Sequence, residues 1–545
     1  MTAPALEPEA GPEQPSTQWF LGTVCLLLVA LIVIDRARVL GAFGLRYTDE
    51  DQTIMWVTAQ DLNHLRVFVP YFYGQSYASW VEALAAVPLL AAGVAVRTAV
   101  PVAAAVVGAV PCLLMAAMAW RRRAPLTAAV VLTGFLLLTT DAVVISSIPR
   151  GLTGGIFVAA IGVALVVGRR EVPPLWAVTT FAALAVIGAS LNQSSMFLSA
   201  PAGAYLVVRH WRRLEVWLWA GVGAGVGVIL HTLAKDFYAD RPAYDFHPEW
   251  QLSLQADVLD RSVHHLGDYF TAYAVDFLRT PVLPLVALAA AIALLVAKRG
   301  VPGAVAGVVA VGGLVVSLSM FKATDGTTGI FLPYFRFYLA LPAVLAWFVV
   351  QAVSDERVRP WVNRLVAGGL LVLALAGFGW RQARLDAEVA GMTAGRIASG
   401  PGVGTTSGSG ARTAAVLERC RETGELADRL DVELVVYAQD RLASYMCGAE
   451  LYDSIETVYP PYERRTWRLI DESTNDRTAM LVADVDPGLC DRAAGLVSSC
   501  EVVSKALGMV VLRFPPQPVM DLVRRLGIQV RPFDLPVDPA RSRSS

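Results

Sequence analysis

Three acidic residues follow one another in Tyr47-Thr48-Asp49-Glu50-Asp51-Gln52, directly after the first long apolar segment of the chain. A carboxylate at such a boundary can take a proton from an incoming hydroxyl. Further on, Pro70-Tyr71-Phe72-Tyr73-Gly74-Gln75-Ser76-Tyr77 leads into an apolar run that carries one acid, Glu82. Far downstream, Tyr334-Phe335-Arg336-Phe337-Tyr338 puts an arginine where an apolar segment begins again. Arginine at that depth is unfavourable unless it is paired or grips an anion, and the guanidinium fork suits a phosphate.

Each of these residues also has a plainer reading. Asp49 followed three residues later by Gln52, just before Ile54, Met55 and Val57, fits a capping box at the start of a helix. The two roles can coexist, since one of three adjacent acids can cap while another reacts. Arg336 between Tyr334 and Tyr338 also fits an aromatic belt with an arginine reaching to the interface. The connection from Lys235 to Arg279 carries Asp236, Tyr238, Asp240, Arg241, His247, Trp250, His264 and His265. Connections this long are often binding elements, although the adjacent His264 and His265 are poorly spaced for a metal.

The elements that must position these groups are membrane helices. Of 545 residues, 55% are hydrophobic and 17% charged, and the mean hydropathy is +0.52, outside the range of soluble domains. The net charge of -1, with basic residues dispersed among short loops, excludes a nucleic-acid partner. Residues 1–18 are rich in Pro and Glu and contain no Lys or Arg, so they read as a disordered tail and not a signal peptide. Apolar segments of spanning length recur at about 19–40, 98–120, 125–147, 151–168, 174–190, 196–208, 214–233, 281–297, 301–320, 334–352 and 361–380. The expectation is a polytopic α-helical membrane protein with about eleven transmembrane helices.

Basic clusters occupy every second connection: Arg121 to Arg123, Arg169 and Arg170, Arg209 to Arg213, Lys298 and Arg299, Arg357 and Arg359. By the positive-inside rule these lie in the cytoplasm. The connections around Ser146 to Gly151, Ser190 to Phe197, Lys235 to Arg279 and Phe321 to Pro333, and everything after about residue 380, then face outward. The segment Trp80 to Val96 decides where Asp49 lies. As a span it puts the acidic loop in the cytoplasm, which Arg36, Arg38, Arg46 and Arg66 favour. As a helix lying along the surface it puts the loop outside.

After Trp380 the chain becomes charged and polar. A Gly/Ser/Thr-rich stretch, Gly400 to Gly410, lacks the Gly-Lys-Ser/Thr ending of a phosphate loop and reads as part of a flexible linker, 381–410. A helical pattern at Ala411 to Leu430 then alternates with strand-like runs at Glu433 to Tyr437, Thr478 to Ala483, Glu501 to Val503 and Met509 to Phe514, with a second helix at Tyr462 to Glu472. That predicts an extracytoplasmic α/β domain over 411–535, followed by a disordered tail, 536–545. Cys420, Cys447, Cys490 and Cys500 lie within it. Outward-facing cysteines favour two disulfides, with three possible connectivities, over free thiols or a metal site.

Taken in order, Asp49-Glu50 after the first helix, Tyr73-Gly74-Gln75-Ser76-Tyr77 with Glu82, Arg97 opening the next span and Arg336-Phe337-Tyr338 before a late one resemble the GT-C superfamily. These are polyprenyl-phosphate-sugar-dependent glycosyltransferases, and the likeness is to the bacterial branch of protein mannosyltransferases and aminoarabinose transferases. It covers about residues 19–380. In that family the loop after the first helix carries the catalytic acid and the next apolar stretch lies on the outer surface, so the resemblance puts Asp49 outside.

The resemblance implies Asp49 as general base with Glu50 supporting it, and Arg336 and Tyr338 as ligands of the donor phosphate. It implies Asp51, Tyr73, Gln75, Tyr77 and Glu82 as substrate contacts, with no metal or other cofactor. The function it implies is inverting transfer of one sugar, by analogy mannose or arabinofuranose, from a polyprenyl-phosphate donor to a hydroxyl of an envelope glycan, glycolipid or protein. The protein is then a multi-pass plasma-membrane enzyme with a cytoplasmic N-terminus. Two other classes are compatible with the composition: a carrier of lipid-linked saccharides, which calls for inverted repeats that the sequence does not show, and a receptor working through its outward domain.

Overall fold

The computed structural model describes residues 15–167, 173–240, 252–270, 282–322, 339–353, 360–393, 411–432, 434–437, 440–458, 479–484, 499–504, 509–514 and 525–526. Helices dominate it. Six of those described are long and apolar enough to cross a membrane. They are α1 (Pro15–Val39), continued by a π-turn at Leu40–Gly44, α4 (Val96–Arg121), α10 (Leu214–Asp240), α12 (Val282–Arg299), α13 (Val301–Ser319) and α15 (Pro360–Thr393). The other apolar segments form shorter helices: α5 (Pro125–Leu136), α7 (Gly154–Val167), α8 (Leu175–Leu191), α9 (Met196–Arg209) and α14 (Leu341–Val353). The expected span at 125–147 is broken, because α5 ends at Leu136 and Thr139 caps a separate short helix, α6 (Thr140–Ile145).

Close helix packing in this body relies on small residues, as expected where lipid removes the hydrophobic drive between helices. On α10, a Cβ at Gly223 would lie 2.1 Å from the Thr179 carbonyl oxygen of α8. The face of α10 away from α8 carries exposed Leu218, Val222, Ile229 and Leu233, a surface suited to acyl chains. The bundle holds a buried charge pair. Arg381 on α15 lies 2.6 Å from Asp35 on α1, both almost wholly buried. Arg381 also donates to the carbonyls of Leu136 and Leu138 at 2.9 Å, tying three helices together.

Two shorter helices lie between α1 and α4. The strand β1 (Tyr47–Thr48) leads into α2 (Glu50–Asn63), and after the Pro70–Tyr77 loop comes α3 (Val81–Ala91). At 1.5 Å per residue, the eleven residues of α3 reach roughly 16 Å, about half of a hydrocarbon core. A turn at Gly93, whose φ of 83° suits a residue without a side chain, then reverses the chain into α4. The segment expected at Trp80 to Val96 is therefore too short to cross, and α3 lies back against α4 and α2.

The helix α15 runs on to Thr393, beyond the boundary expected near residue 380. The strands β2 (Leu252–Leu254) and β3 (Met320–Lys322) pair beside α11 (Ala256–Phe270). The C-terminal residues contain β4 (Ala411–Arg412), α16 (Thr413–Leu430), β5 (Leu434–Tyr437), α17 (Arg441–Glu450), β6 (Glu456–Val458), β7 (Ala479–Asp484), β8 (Ser499–Ser504) and β9 (Met509–Phe514). Five of the strands form one mixed sheet in the order β6-β5-β7-β9-β8, parallel on the first side and antiparallel on the second. The helix expected at Tyr462 to Glu472 lies outside the described residues. The sulfurs of Cys420 on α16 and Cys447 on α17 face each other, with Cα atoms 4.9 Å apart.

Candidate active site

Asp49 stands at the N-terminus of α2, and its Oδ1 accepts the backbone N–H of Gln52 at 3.0 Å. The capping role is thus real, and the helix N-terminus adds its own preference for negative charge. The other carboxylate oxygen of Asp49 accepts from Nη2 of Arg150, an ion pair that is largely buried. Burial disfavours the Arg150 cation, yet Asp49, Asp51 and Glu50 together hold its pKa above the usual arginine value. Glu50 and Asp51 are half-buried beside Asp49. One arginine therefore faces three acids at the start of α2.

The loop that carries Arg150 is gripped from two sides. Arg36, near the end of α1, donates through Nη1 to the Val143 carbonyl at 2.8 Å, to Ser146 Oγ at 3.0 Å and to Ser147 Oγ. Glu82 on α3 accepts at Oε1 from the Thr153 backbone N–H at 3.3 Å and hydroxyl at 3.0 Å, and at Oε2 from Ser79 Oγ at 3.1 Å. Glu82 has no exposed surface. Its carboxyl faces protein groups only among the described contacts.

The Pro70–Tyr77 loop folds inward. Tyr73 is buried, and its hydroxyl donates to Asp61 Oδ2 at 2.6 Å. Gln75 is nearly buried and Tyr77 half-buried. The end of α10 braces the same loop: Lys235 donates to the Ser76 carbonyl at 2.7 Å, and the Tyr71 hydroxyl meets His231 Nδ1 at 3.0 Å. Burial raises the Tyr71 pKa. Arg336 and Tyr338 lie outside the described residues. Among those described, no group of three His, Cys, Asp or Glu residues stands close enough together to hold a metal ion.

The C-terminal residues close over the acidic loop. Tyr47 and Thr48 pair antiparallel with Arg412 and Ala411, and the Thr413 N–H donates to the Arg46 carbonyl at 2.9 Å. Asp61 on α2 also accepts from the Tyr452 hydroxyl, and Tyr452 stacks on His64 with ring centroids 4.8 Å apart. Arg97, at the start of α4, lies 2.9 Å from Glu450. Burial raises the Glu450 pKa, an effect that Arg97 opposes. The acidic loop and the C-terminal sheet therefore share one side of the helical body.

Sequence reasoning singled out Asp49 and its neighbours but missed Arg150 and Asp61. The signal for Arg150 was an isolated arginine in an outward connection otherwise free of basic residues, Ser146 to Gly151.

No protein-family model and no curated protein matches this chain by sequence. Two solved structures match by fold. The crystal structure of ArnT from Cupriavidus metallidurans bound to undecaprenyl phosphate superposes with a TM-score of 0.55 at 15% identity, over 91% of this chain and 98% of that one. The apo state of the same ArnT gives a TM-score of 0.52 at 14% identity, over 92% of this chain and 98% of that one. The alignment runs through both the helical body and the C-terminal region, and it shows that this chain shares the fold of ArnT.

Proposed function

We propose that this protein is an inverting glycosyltransferase that passes one sugar from a polyprenyl-phosphate donor to a hydroxyl of an extracytoplasmic glycan, glycolipid or protein. The observation that carries this reading is the Asp49–Arg150 pair at the start of α2, in a fold whose relative ArnT was crystallised with undecaprenyl phosphate. The acceptor oxygen attacks the anomeric carbon from the face opposite the phosphate. The carbon–oxygen bond to phosphate breaks, its electron pair stays on the phosphate oxygen, and the hydroxyl proton passes to Asp49. Glu50 is the acid that supports Asp49.

Arg150 balances the acids before substrate arrives and is within reach of an incoming phosphate once a donor competes for its guanidinium. Arg336 and Tyr338 grip the lipid phosphate, and Asp51, Gln75 and Tyr77 line the approach of the sugar. The protein spans the plasma membrane with its N-terminus in the cytoplasm and its C-terminal α/β domain outside. The test is to supply the purified full chain with a panel of polyprenyl-phosphate sugars and a crude envelope acceptor, and to measure release of polyprenyl phosphate. Turnover of one donor with inversion at the transferred sugar supports the reading. Binding of every donor with no turnover favours a carrier.

A further inference from the structure

Glu82 is a buried acid that the proposed chemistry does not use. It sits one residue inside α3, and its carboxyl points into the seam between α3 and the turn that opens α7. Two of its hydrogen bonds, both from Thr153, cross that seam, and a third, from Ser79, is local to its own segment. The seam is close at the backbone too. The Ser79 N–H points to the Gly151 carbonyl at 3.4 Å. A Cβ at Gly151 would lie 2.6 Å from the Ser79 carbonyl oxygen, and one at Gly154 1.9 Å from Ser79 Oγ. Only glycine lets the two segments approach this far. Arg150 is the residue next to Gly151 and three before Thr153, so the segment that Glu82 holds is the one that presents Arg150 to Asp49.

We infer that Glu82 is a positioning residue that fixes the Arg150 loop against α3, so that the guanidinium meets Asp49 in one geometry. The inference rests on the transferase reading for its consequence in catalysis, and on geometry alone for its consequence in structure. A ligand or proton-transfer role requires access, and Glu82 has none. Desolvation raises the Glu82 pKa. Glu82 accepts from Thr153 through Oε1 and meets the Ser79 hydroxyl through Oε2. Glutamine reproduces that pattern, with Oε1 facing Thr153 and Nε2 facing Ser79. Aspartate keeps the acid but falls one methylene short of Thr153.

The experiment compares Glu82→Gln, Glu82→Asp, Glu82→Ala and Thr153→Val in the full chain, by amide hydrogen exchange over residues 146–153 and by transfer kinetics. Glu82→Ala and Glu82→Asp are expected to speed exchange in this loop and to lower kcat by roughly tenfold or more, with the donor KM changed less than about twofold. Glu82→Gln restores protection and recovers most of the lost rate. Thr153→Val, which removes one of the hydrogen bonds while keeping the side-chain shape, falls between and tests the same link if Glu82→Ala does not fold. An active Glu82→Asp beside an inactive Glu82→Gln overturns the inference in favour of an acidic role, as does unchanged exchange in all four variants. Exchange is read without turnover, so a failed transferase assignment leaves this outcome separately legible.

Discussion

Tyr47 and Arg412 are partners in a two-residue antiparallel ladder, so the chain entering the acidic loop and the chain entering the C-terminal sheet lie side by side. With α3 too short to cross, the helical body leaves α1 and enters α4 on that same side. Sidedness is therefore one question. Cysteines placed at Val67, exposed beyond α2, and at Glu425, exposed on α16, are expected to react alike with a membrane-impermeant thiol reagent in intact cells, above the background of the parent chain. Under the proposed orientation both react from outside. Reaction at one site and protection at the other would contradict the ladder.

The link through Asp61 is expected to matter for stability. Tyr73 and Tyr452, one from the loop and one from the C-terminal region, both donate to this fully buried carboxyl. Tyr452→Phe removes one donor without removing the ring that stacks on His64. The expected loss is about 1 kcal/mol, with faster proteolysis between the helical body and the C-terminal residues. Equal protease resistance in parent and variant would show that the contact does not hold the two together.

The pair Asp35–Arg381 predicts a different pattern. Removing one partner leaves the other charged and buried, at a cost of about 3–5 kcal/mol, whereas removing both costs less. Thermal unfolding in detergent should therefore rank Arg381→Leu below the double variant Asp35→Leu/Arg381→Leu. The reverse order would mean that the pair is solvated.

Cys420 and Cys447 are 27 residues apart in sequence and adjacent in space, consistent with one of the two disulfides expected from the sequence. Closing a loop of that length stabilises a domain by about 3–4 kcal/mol. Mass spectrometry of the unreduced chain after alkylation should recover the two residues in one cross-linked peptide pair, and Cys420→Ser should destabilise the C-terminal residues. Full alkylation of both cysteines without reductant would rule the bond out. Cys490 lies outside the described residues.

Much of this was legible along the chain because it depends on local pattern. The capping of α2 by Asp49 followed from the spacing to Gln52, and Met509 to Phe514 was readable as a strand from its short, largely apolar run with two β-branched residues. What escaped depends on partners far apart. Arg150 meets an acid 101 positions away, and Asp61 meets a tyrosine 391 positions away. Neither neighbourhood has a spacing signature. Glu82 and Tyr73 carried chemistry-bearing side chains in the expected segment, but whether such a group faces a substrate or the protein interior is decided by packing. The helix α17 escaped because its ten residues are too few for a period to show, although Asp440 caps it through the Ala443 N–H.

The central claim is that Asp49 takes the acceptor proton, and Asp49→Asn tests it most directly. Asparagine caps a helix as well as aspartate does, so α2 should persist while the base and its ion pair with Arg150 are lost. With the donor found in the panel, transfer by Asp49→Asn is expected to fall by about 100-fold or more in kcat, while the chain still unfolds cooperatively from a folded state. Transfer at the parental rate by a folded Asp49→Asn would contradict the account.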